Sequence, residues 1–179
     1  TYTLDMSNSG AEGTIQALFS PRLWTKDGLL TQAGSETFWD RSTLYALRGV
    51  YAVGATEKAT EFMKKYSATR LLGDHVPYAI EAWPEGSQRH LSAESGLYAR
   101  IITEGMFGIR PTGFKSFTLT PRLPNDWSFM NLKSIHAFDT CFDVEVKRLD
   151  NGKLEVLINQ GEKSKKHVMK EGQTLSIKL

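Results

Sequence analysis

The side chains best suited to chemistry are concentrated in one stretch, residues 76–95, which is rich in ionisable and aromatic types. Glu81 and Glu85 lie on either side of Trp83 in this stretch. A carboxylate beside an indole ring is partly desolvated, which disfavours its charged form and brings it toward useful general-base strength. Pro84 restricts the backbone of Trp83 and stiffens the segment. In glycoside hydrolysis one carboxyl group protonates the leaving oxygen and another activates water or attacks the anomeric carbon, so this stretch could supply one of the two.

Further side chains in and before this stretch suit the recognition of a sugar. Indole rings can stack on sugar faces, and amide, guanidinium, imidazole and phenol groups can hydrogen-bond sugar hydroxyls. The candidate substrate-binding residues identified in this way are Trp39, Tyr78, Trp83, Gln88, Arg89 and His90.

These assignments have structural alternatives. Glu81 and Glu85 can equally be solvated surface charges, because two acids four residues apart in a loop are common on protein surfaces. Arg89 can be the ion-pair partner of a nearby glutamate. Trp39, like Trp24, can be an ordinary buried aromatic residue.

The composition argues against several other classes of function. With 179 residues, of which 40% are hydrophobic and 23% charged, the chain can bury a core. A net charge of +2 with scattered basic residues predicts no nucleic-acid partner, and no apolar run is long enough to predict a membrane span. The four histidines lack metal-ligand spacing and there is no phosphate-binding or dinucleotide-binding loop, so we expect neither a metal nor a cofactor.

Two smaller features also carry expectations. The single cysteine, Cys141, precludes an internal disulfide, and its place at the start of a strand pattern predicts a small buried apolar residue. The basic run from Lys163 to His167 predicts a solvated turn.

Hydrophobic periodicity predicts about three helices around the chemical stretch. The first runs from Asp40 to Gly54 and is apolar nearly all round, so it should be well buried, with Asp40 or Ser42 as its N-cap. The second, from about 55 to 68, has a polar face and forms an αα-hairpin with the first. The third runs from Ser92 to about Phe107. Upstream, residues 11–19 predict no more than a helical turn or two.

From Pro111 onward the hydrophobic period changes to that of strands. The alternating segments 142–146 and 154–158 flank the turn residues 150–152 and predict a β-hairpin. A further strand pair is expected around residues 171–172. The C-terminal part is therefore predicted to be a small antiparallel β-sandwich.

The order of four motifs along the chain resembles the C-terminal part of the six-hairpin glycosidases. These (α/α)6-barrel enzymes include glucoamylases, bacterial α-L-rhamnosidases and disaccharide phosphorylases. The acidic loop, the serine-rich helix start, the glycine-proline passage and the proline-rich entry to the strands are Trp83–Gly86, Ser92–Tyr98, Phe107–Pro111 and Leu119–Trp127.

The resemblance implies a role for three acids. In several of these families the last inner helix is preceded by a loop that carries a catalytic Glu, usually the base, and Glu85 is the best match for it, with Glu81 second. Asp40, at the start of another inner helix, would face the same mouth and bind substrate, its alternative role being a plain N-cap.

The resemblance also implies the fold and its context. The expected class is α+β, with residues 1–110 as the C-terminal portion of an α/α-barrel catalytic domain and 111–179 as a β-sandwich module. A complete toroid needs twelve helices, so we expect the chain to be one part of a longer bacterial enzyme. The remaining N-terminal part would then be its partner and would supply the general acid. The alternative is shared ancestry without an active site.

The predicted function is hydrolysis of a glycosidic bond in an oligo- or polysaccharide, and a periplasmic or secreted location would suit it. One alternative keeps the barrel but uses phosphate in place of water, as disaccharide phosphorylases do. Another is a non-catalytic carbohydrate-binding or scaffold module, in which Phe114, Phe117 or Trp127 would line an exposed sheet face.

Overall fold

The computed structural model of the chain describes residues 9–71, 82–83 and 92–179. The chain divides into two compact units between Ile101 and Ile102. The first unit holds the α-helices and two short strand pairs, and the second is built mainly of antiparallel strands. The predicted α+β class is confirmed, while the assignments of 1–110 and 111–179 to particular domain types stay predictions.

Four α-helices and four two-residue strands make up the described part of the first unit. The helices are α1 (Ser9–Leu18), α2 (Asp40–Ala52), α3 (Thr56–Arg70) and α4 (Ser92–Arg100). The strands are β1 (Trp24–Thr25), β2 (Gly28–Leu29), β3 (Phe38–Trp39) and β4 (Ala82–Trp83), paired as β1 with β2 and β3 with β4.

The predicted hairpin of α2 and α3 is confirmed. Gly54, with a φ of +84°, ends the first helix, and α3 begins two residues later. The expectation that α2 would be the more buried helix of this hairpin is confirmed, because only Arg41 and Tyr45 of its 13 residues are exposed, whereas six of the 15 residues of α3 are. The side chains that α2 does bury are Asp40, Thr43, Leu44, Leu47, Val50 and Tyr51.

Polar pairs inside the first unit connect its helices. The Tyr51 hydroxyl lies 2.8 Å from Thr60 Oγ1, which joins α2 to α3. Burial raises the pKa of Tyr51 to about 12, so its phenol is neutral at physiological pH. Ser67 Oγ lies 2.7 Å from the hydroxyl of Tyr98, which joins α3 to α4. A buried hydroxyl that found no partner would destabilise the unit, and these pairings avoid that cost.

The third predicted helix changes character before it ends. Regular α-helix stops at Arg100 and a π-helix follows over Ile101–Met106. The backbone N–H of Phe107 donates to the carbonyl of Ile102 at 2.9 Å, a spacing of five residues instead of four. Ile101, Met106 and Phe107 are buried. The prediction of a helix that ends near Phe107 is therefore confirmed, but the sequence did not predict that its last part is a π-helix.

The glycine-proline passage that follows has a structural function. Gly108 has a φ of +65°, and a Cβ atom at this position would clash with the backbone carbonyl of Thr120. The two chain segments are joined by hydrogen bonds from Thr120 N to Phe107 O at 3.2 Å and from Arg122 N to Met106 O at 2.8 Å. Two of the motifs singled out in the sequence therefore lie against each other as backbone.

We expect Gly108→Ala to lower the free energy of unfolding by about 2–4 kcal/mol, since alanine meets both the left-handed conformation and the Thr120 carbonyl. Gly152→Ala is the matched control, because Gly152 has a φ of +76° but open space around its Cα. It should cost only about 1 kcal/mol. Urea denaturation of both variants measures the difference, and equal losses would contradict the close approach of Thr120.

The second unit contains two antiparallel sheets. One has the order β10-β9-β8-β7 and the other has the order β11-β6-β5. Their strands are β5 (Arg110–Gly113), β6 (Ser116–Leu119), β7 (Phe129–Ala137), β8 (Thr140–Arg148), β9 (Leu154–Gln160), β10 (Lys163–Met169) and β11 (Leu175–Lys178).

An apolar core lies where the two sheets contact each other. The ring of Phe117 on β6 stacks on the ring of Phe142 on β8, with centroids 5.4 Å apart. The predicted hairpin is confirmed as β8 and β9, in which Val144 pairs with Ile158 and Val146 with Val156. All of these side chains are buried.

Three expectations for this unit are wrong. The basic run from Lys163 is not a turn but strand β10, at the edge of the larger sheet. Strands β10 and β11 do not pair with each other, because β11 pairs with β6 in the smaller sheet. Cys141 is exposed, since it precedes the buried Phe142 and therefore faces the opposite side of β8.

Candidate functional site

One strand pair connects the predicted acidic loop to the start of α2. Phe38 pairs with Trp83 and Trp39 pairs with Ala82 in antiparallel register. Directly opposed residues in such a pair have Cα atoms about 4.5–5.5 Å apart. Trp39, Asp40 and the backbone of Trp83, which the sequence placed at one site, are therefore brought together.

Trp24 and Trp39, for which the sequence allowed either a packing or a stacking role, differ in the structure. Trp24 is half-buried and packs its ring against Phe19 at 5.1 Å and against Phe62 at 4.9 Å, so it is a packing residue. Trp39 is 40% exposed and keeps part of its indole accessible to a ligand. An exposed indole can stack on the ring of a ligand.

Asp40 is the first residue of α2 and is almost completely buried, with 1% of its surface exposed. Trp39, not Asp40, holds the N-cap position. The Tyr66 hydroxyl donates a hydrogen bond to Asp40 Oδ2 at 3.1 Å, and Arg70 Nε lies 3.7 Å from Oδ1. The second distance is too long for a hydrogen bond but close enough for an ion pair.

Arg70 connects three segments of the first unit. Besides its ion pair with Asp40, its Nη2 atom donates to the backbone carbonyl of Asp27 at 3.3 Å. Its guanidinium carbon lies 5.9 Å from the ring centroid of Phe38. Burial lowers the pKa of Arg70 below its ordinary value, and the negative charge of Asp40 opposes that shift.

The space beside this ion pair is small. A cavity of about 10 Å³ is lined by residues that include Phe38, Asp40, Tyr66 and Arg70. That volume suits one water molecule and is far too small for a sugar ring. The substrate-binding role of Asp40 stays a prediction, and in this arrangement its two carboxylate oxygens contact Tyr66 and Arg70.

Most of the predicted site residues lie outside the described residues. These are the two candidate catalytic acids and four of the candidate binding residues, namely Glu81, Glu85, Tyr78, Gln88, Arg89 and His90. Their roles remain predictions from the sequence.

Sequence reasoning missed Tyr66 and Arg70. Both continue the buried stripe of α3 that includes Phe62, at intervals of four residues. An arginine on the buried stripe of a helix requires an acidic or carbonyl partner elsewhere in the fold. That signal was present in the sequence, and it predicts a buried partner for Arg70 without identifying which residue the partner is.

Two searches of the described residues gave negative results. Within the ranges that the structure describes, there is no group of three or more His, Cys, Asp or Glu residues placed to hold a metal ion. None of the helices in the same ranges combines the length and apolar character needed to cross a membrane.

Comparisons with known proteins add no assignment. No family model, no curated protein and no solved structure matches this chain.

Proposed function

We propose that this chain is the C-terminal part of a glycoside hydrolase, with its helices forming part of an (α/α)6 toroid. The observation that supports the proposal is the β3–β4 pair, which brings Ala82 and Trp83 to Trp39 at the start of α2. The candidate acids Glu81 and Glu85 are one residue before and two residues after this pair in the sequence.

Glu85 is the proposed general base, with Glu81 as the second candidate. In the proposed reaction its carboxylate accepts a proton from a water molecule as that water attacks the anomeric carbon. An acid outside this chain protonates the oxygen of the leaving group, so that the glycosidic bond breaks without expelling an alkoxide. Desolvation by Trp83 would strengthen the carboxylate as a base.

Substrate binding is proposed to involve stacking and hydrogen bonds. The exposed indole of Trp39 and the indole of Trp83 would flank the sugar, and the apolar faces of a pyranose ring suit such contacts. Tyr78, Gln88, Arg89 and His90 would hydrogen-bond its hydroxyls.

Asp40 and Arg70 support this proposal as positioning groups. Their ion pair spans from the end of α3 to the first residue of α2, immediately after β3. Arg70 is the last residue of α3 and precedes the predicted loop. Trp39 immediately precedes Asp40, the other member of the ion pair. A buried ion pair between the helix end that precedes the chemical stretch and the helix start that follows β3 would hold these two segments in register.

Product analysis of the full-length protein tests the reaction class. A panel of neutral oligosaccharides is incubated with and without inorganic phosphate, and the products are identified by NMR. Hydrolysis predicts free reducing sugar at a rate that phosphate does not change. Sugar 1-phosphate would favour the phosphorylase alternative, and the absence of any cleaved bond across the panel would overturn the enzyme proposal.

The alternative of a non-catalytic module receives less support. It expects aromatics such as Phe114, Phe117 or Trp127 to line an exposed sheet face, but Phe117 is fully buried against Phe142. Phe114 is 79% exposed, yet it lies in the turn between β5 and β6 and not on a sheet face. Phe114 and Phe117 therefore do not share an exposed sheet face.

A further inference from the structure

A second candidate site lies in the second unit, at one end of its larger sheet. An open groove of about 880 Å³ is formed by the start of β8 and by the end of β9 with the turn into β10. Its polar lining residues are Thr140, Asp143, Asn159, Gln160, Glu162 and Lys163. None of them belongs to the predicted catalytic stretch.

Two of these side chains are anchored by one polar atom each. The backbone N–H of Ser134 donates to Asp143 Oδ1 at 2.7 Å, where a bulge interrupts the register of β7. Gln160 Nε2 donates to Thr140 Oγ1 at 2.8 Å. The first bond holds Asp143 in place and leaves Oδ2 as a further acceptor on the face that carries Asn159 and Cys141, whereas Gln160 and Thr140 pair on the opposite face.

The backbone beside the groove is strained. Phe138 and Asp139 form the turn from β7 into β8 with φ values of +57° and +56°. A bulky residue in this conformation costs on the order of 1–3 kcal/mol and persists only when its surroundings enforce it. Stacking of the Phe138 ring on Phe117, with centroids 6.2 Å apart, provides such a contact. This turn directs the chain into Thr140 and Cys141 at the start of β8.

The chemistry of the lining indicates the class of ligand. Carboxylate and amide groups next to each other on opposed strands, such as Asp143 and Asn159, can bond two adjacent hydroxyls at once. The groove carries two carboxylates and one ammonium group, a net charge of −1, which disfavours acidic ligands. We propose that this groove binds a neutral carbohydrate through its hydroxyls, independently of the proposed catalytic site.

Cys141 offers a direct test because it lines the groove, is exposed and is the single cysteine of the chain. The rate of its alkylation by iodoacetamide is measured with neutral oligosaccharides of glucose, galactose, mannose, xylose or rhamnose. A bound sugar should slow alkylation about tenfold at ten times its dissociation constant, as mass action requires. Because the groove is open and polar, we expect that constant to be about 1 mM.

Two variants locate the binding. Asn159→Ala and Asp143→Asn, which alter the two opposed side chains on the face of Cys141, should each weaken protection about three- to tenfold, the effect of one lost hydrogen bond. Asn131→Ala is the matched control, since Asn131 is exposed on β7 of the same sheet and does not line the groove. Thermal unfolding of every variant checks that the unit still folds.

The outcomes separate this proposal from the enzyme proposal. Protection by a neutral sugar that both groove variants weaken supports the groove, whether or not the full-length protein cleaves any bond. Unchanged alkylation with every member of the panel at about 50 mM, far above the expected constant, would overturn it. Stronger protection by an acidic probe, tetragalacturonate, or equal protection in all variants, would also overturn it.

Discussion

Glu85→Gln in the full-length protein is expected to lower turnover by a factor of roughly 10²–10⁴ while leaving the fold intact. Glutamine has nearly the shape of glutamate but cannot accept a proton from the attacking water. The loss should therefore appear in kcat, with KM changed little, because the amide still occupies the same space. Steady-state kinetics on the best substrate of the panel, with circular dichroism as the check on folding, measures the effect.

Glu81→Gln is the natural control for this experiment. The two glutamates flank Trp83 in one stretch, so a general loss of surface charge would affect both variants alike. A large loss in Glu85→Gln alone identifies Glu85 as the base, and a large loss in Glu81→Gln alone transfers the role to Glu81. Near-normal turnover in both variants would refute the assignment of a base to this stretch.

Arg70→Met is expected to lower the free energy of unfolding by about 3–5 kcal/mol, because it leaves the carboxylate of Asp40 buried beside Tyr66 without its cation. The side chains of Arg70 and Asp40 are 6% and 2% exposed, so solvent compensates little of that loss. The lowered pKa of Arg70 shows that desolvation of the guanidinium outweighs the attraction of Asp40, so the expected loss comes from the carboxylate that is left buried and not from the net strength of the pair. Urea denaturation gives the free energy directly.

Lys65→Met provides the matched control for Arg70→Met. Lys65 forms an ion pair with Asp27 at 4.0 Å, but both side chains are nearly half exposed, at 44% and 46%. Removing such a pair should cost less than about 1 kcal/mol. The double variant Asp40→Leu with Arg70→Met should recover most of the single-variant loss, because no charge is then left buried alone. Equal losses for Arg70→Met and Lys65→Met would contradict the buried pair.

Local elements were predictable from the sequence where a local signal determines them. The start of α2 at Asp40 follows from hydrophobic periodicity, and its end follows from Gly54, which adopts a positive φ. The hairpin of β8 and β9 follows from alternation and from the turn at Gly152. Each of these elements is determined by residues that are close together in the sequence.

Long-range pairings were not predictable in the same way. Asp40 contacts Tyr66 and Arg70 from a helix that is formed later in the chain, and β11 crosses from the turn after β10 to pair with β6. Local propensity carries no information on such partners, because tertiary packing decides among many compatible choices.

Cys141 shows a different kind of failure. Its exposure was available from the alternation of β8, in which Phe142, Val144 and Val146 are buried and the residues between them face outward. Residue type suggested a buried thiol, whereas position in the strand predicted an exposed one. Position was the stronger guide at this site.

The lysines of β10 have a consequence for how copies of this protein meet. Among the strands that the structure describes, β10 pairs with β9 alone, so its outer edge could template the addition of a further strand. Lys163, Lys165 and Lys166 are exposed along it. Two copies brought edge to edge would oppose ammonium groups across the new ladder, and that repulsion protects the sheet from growing into a fibril.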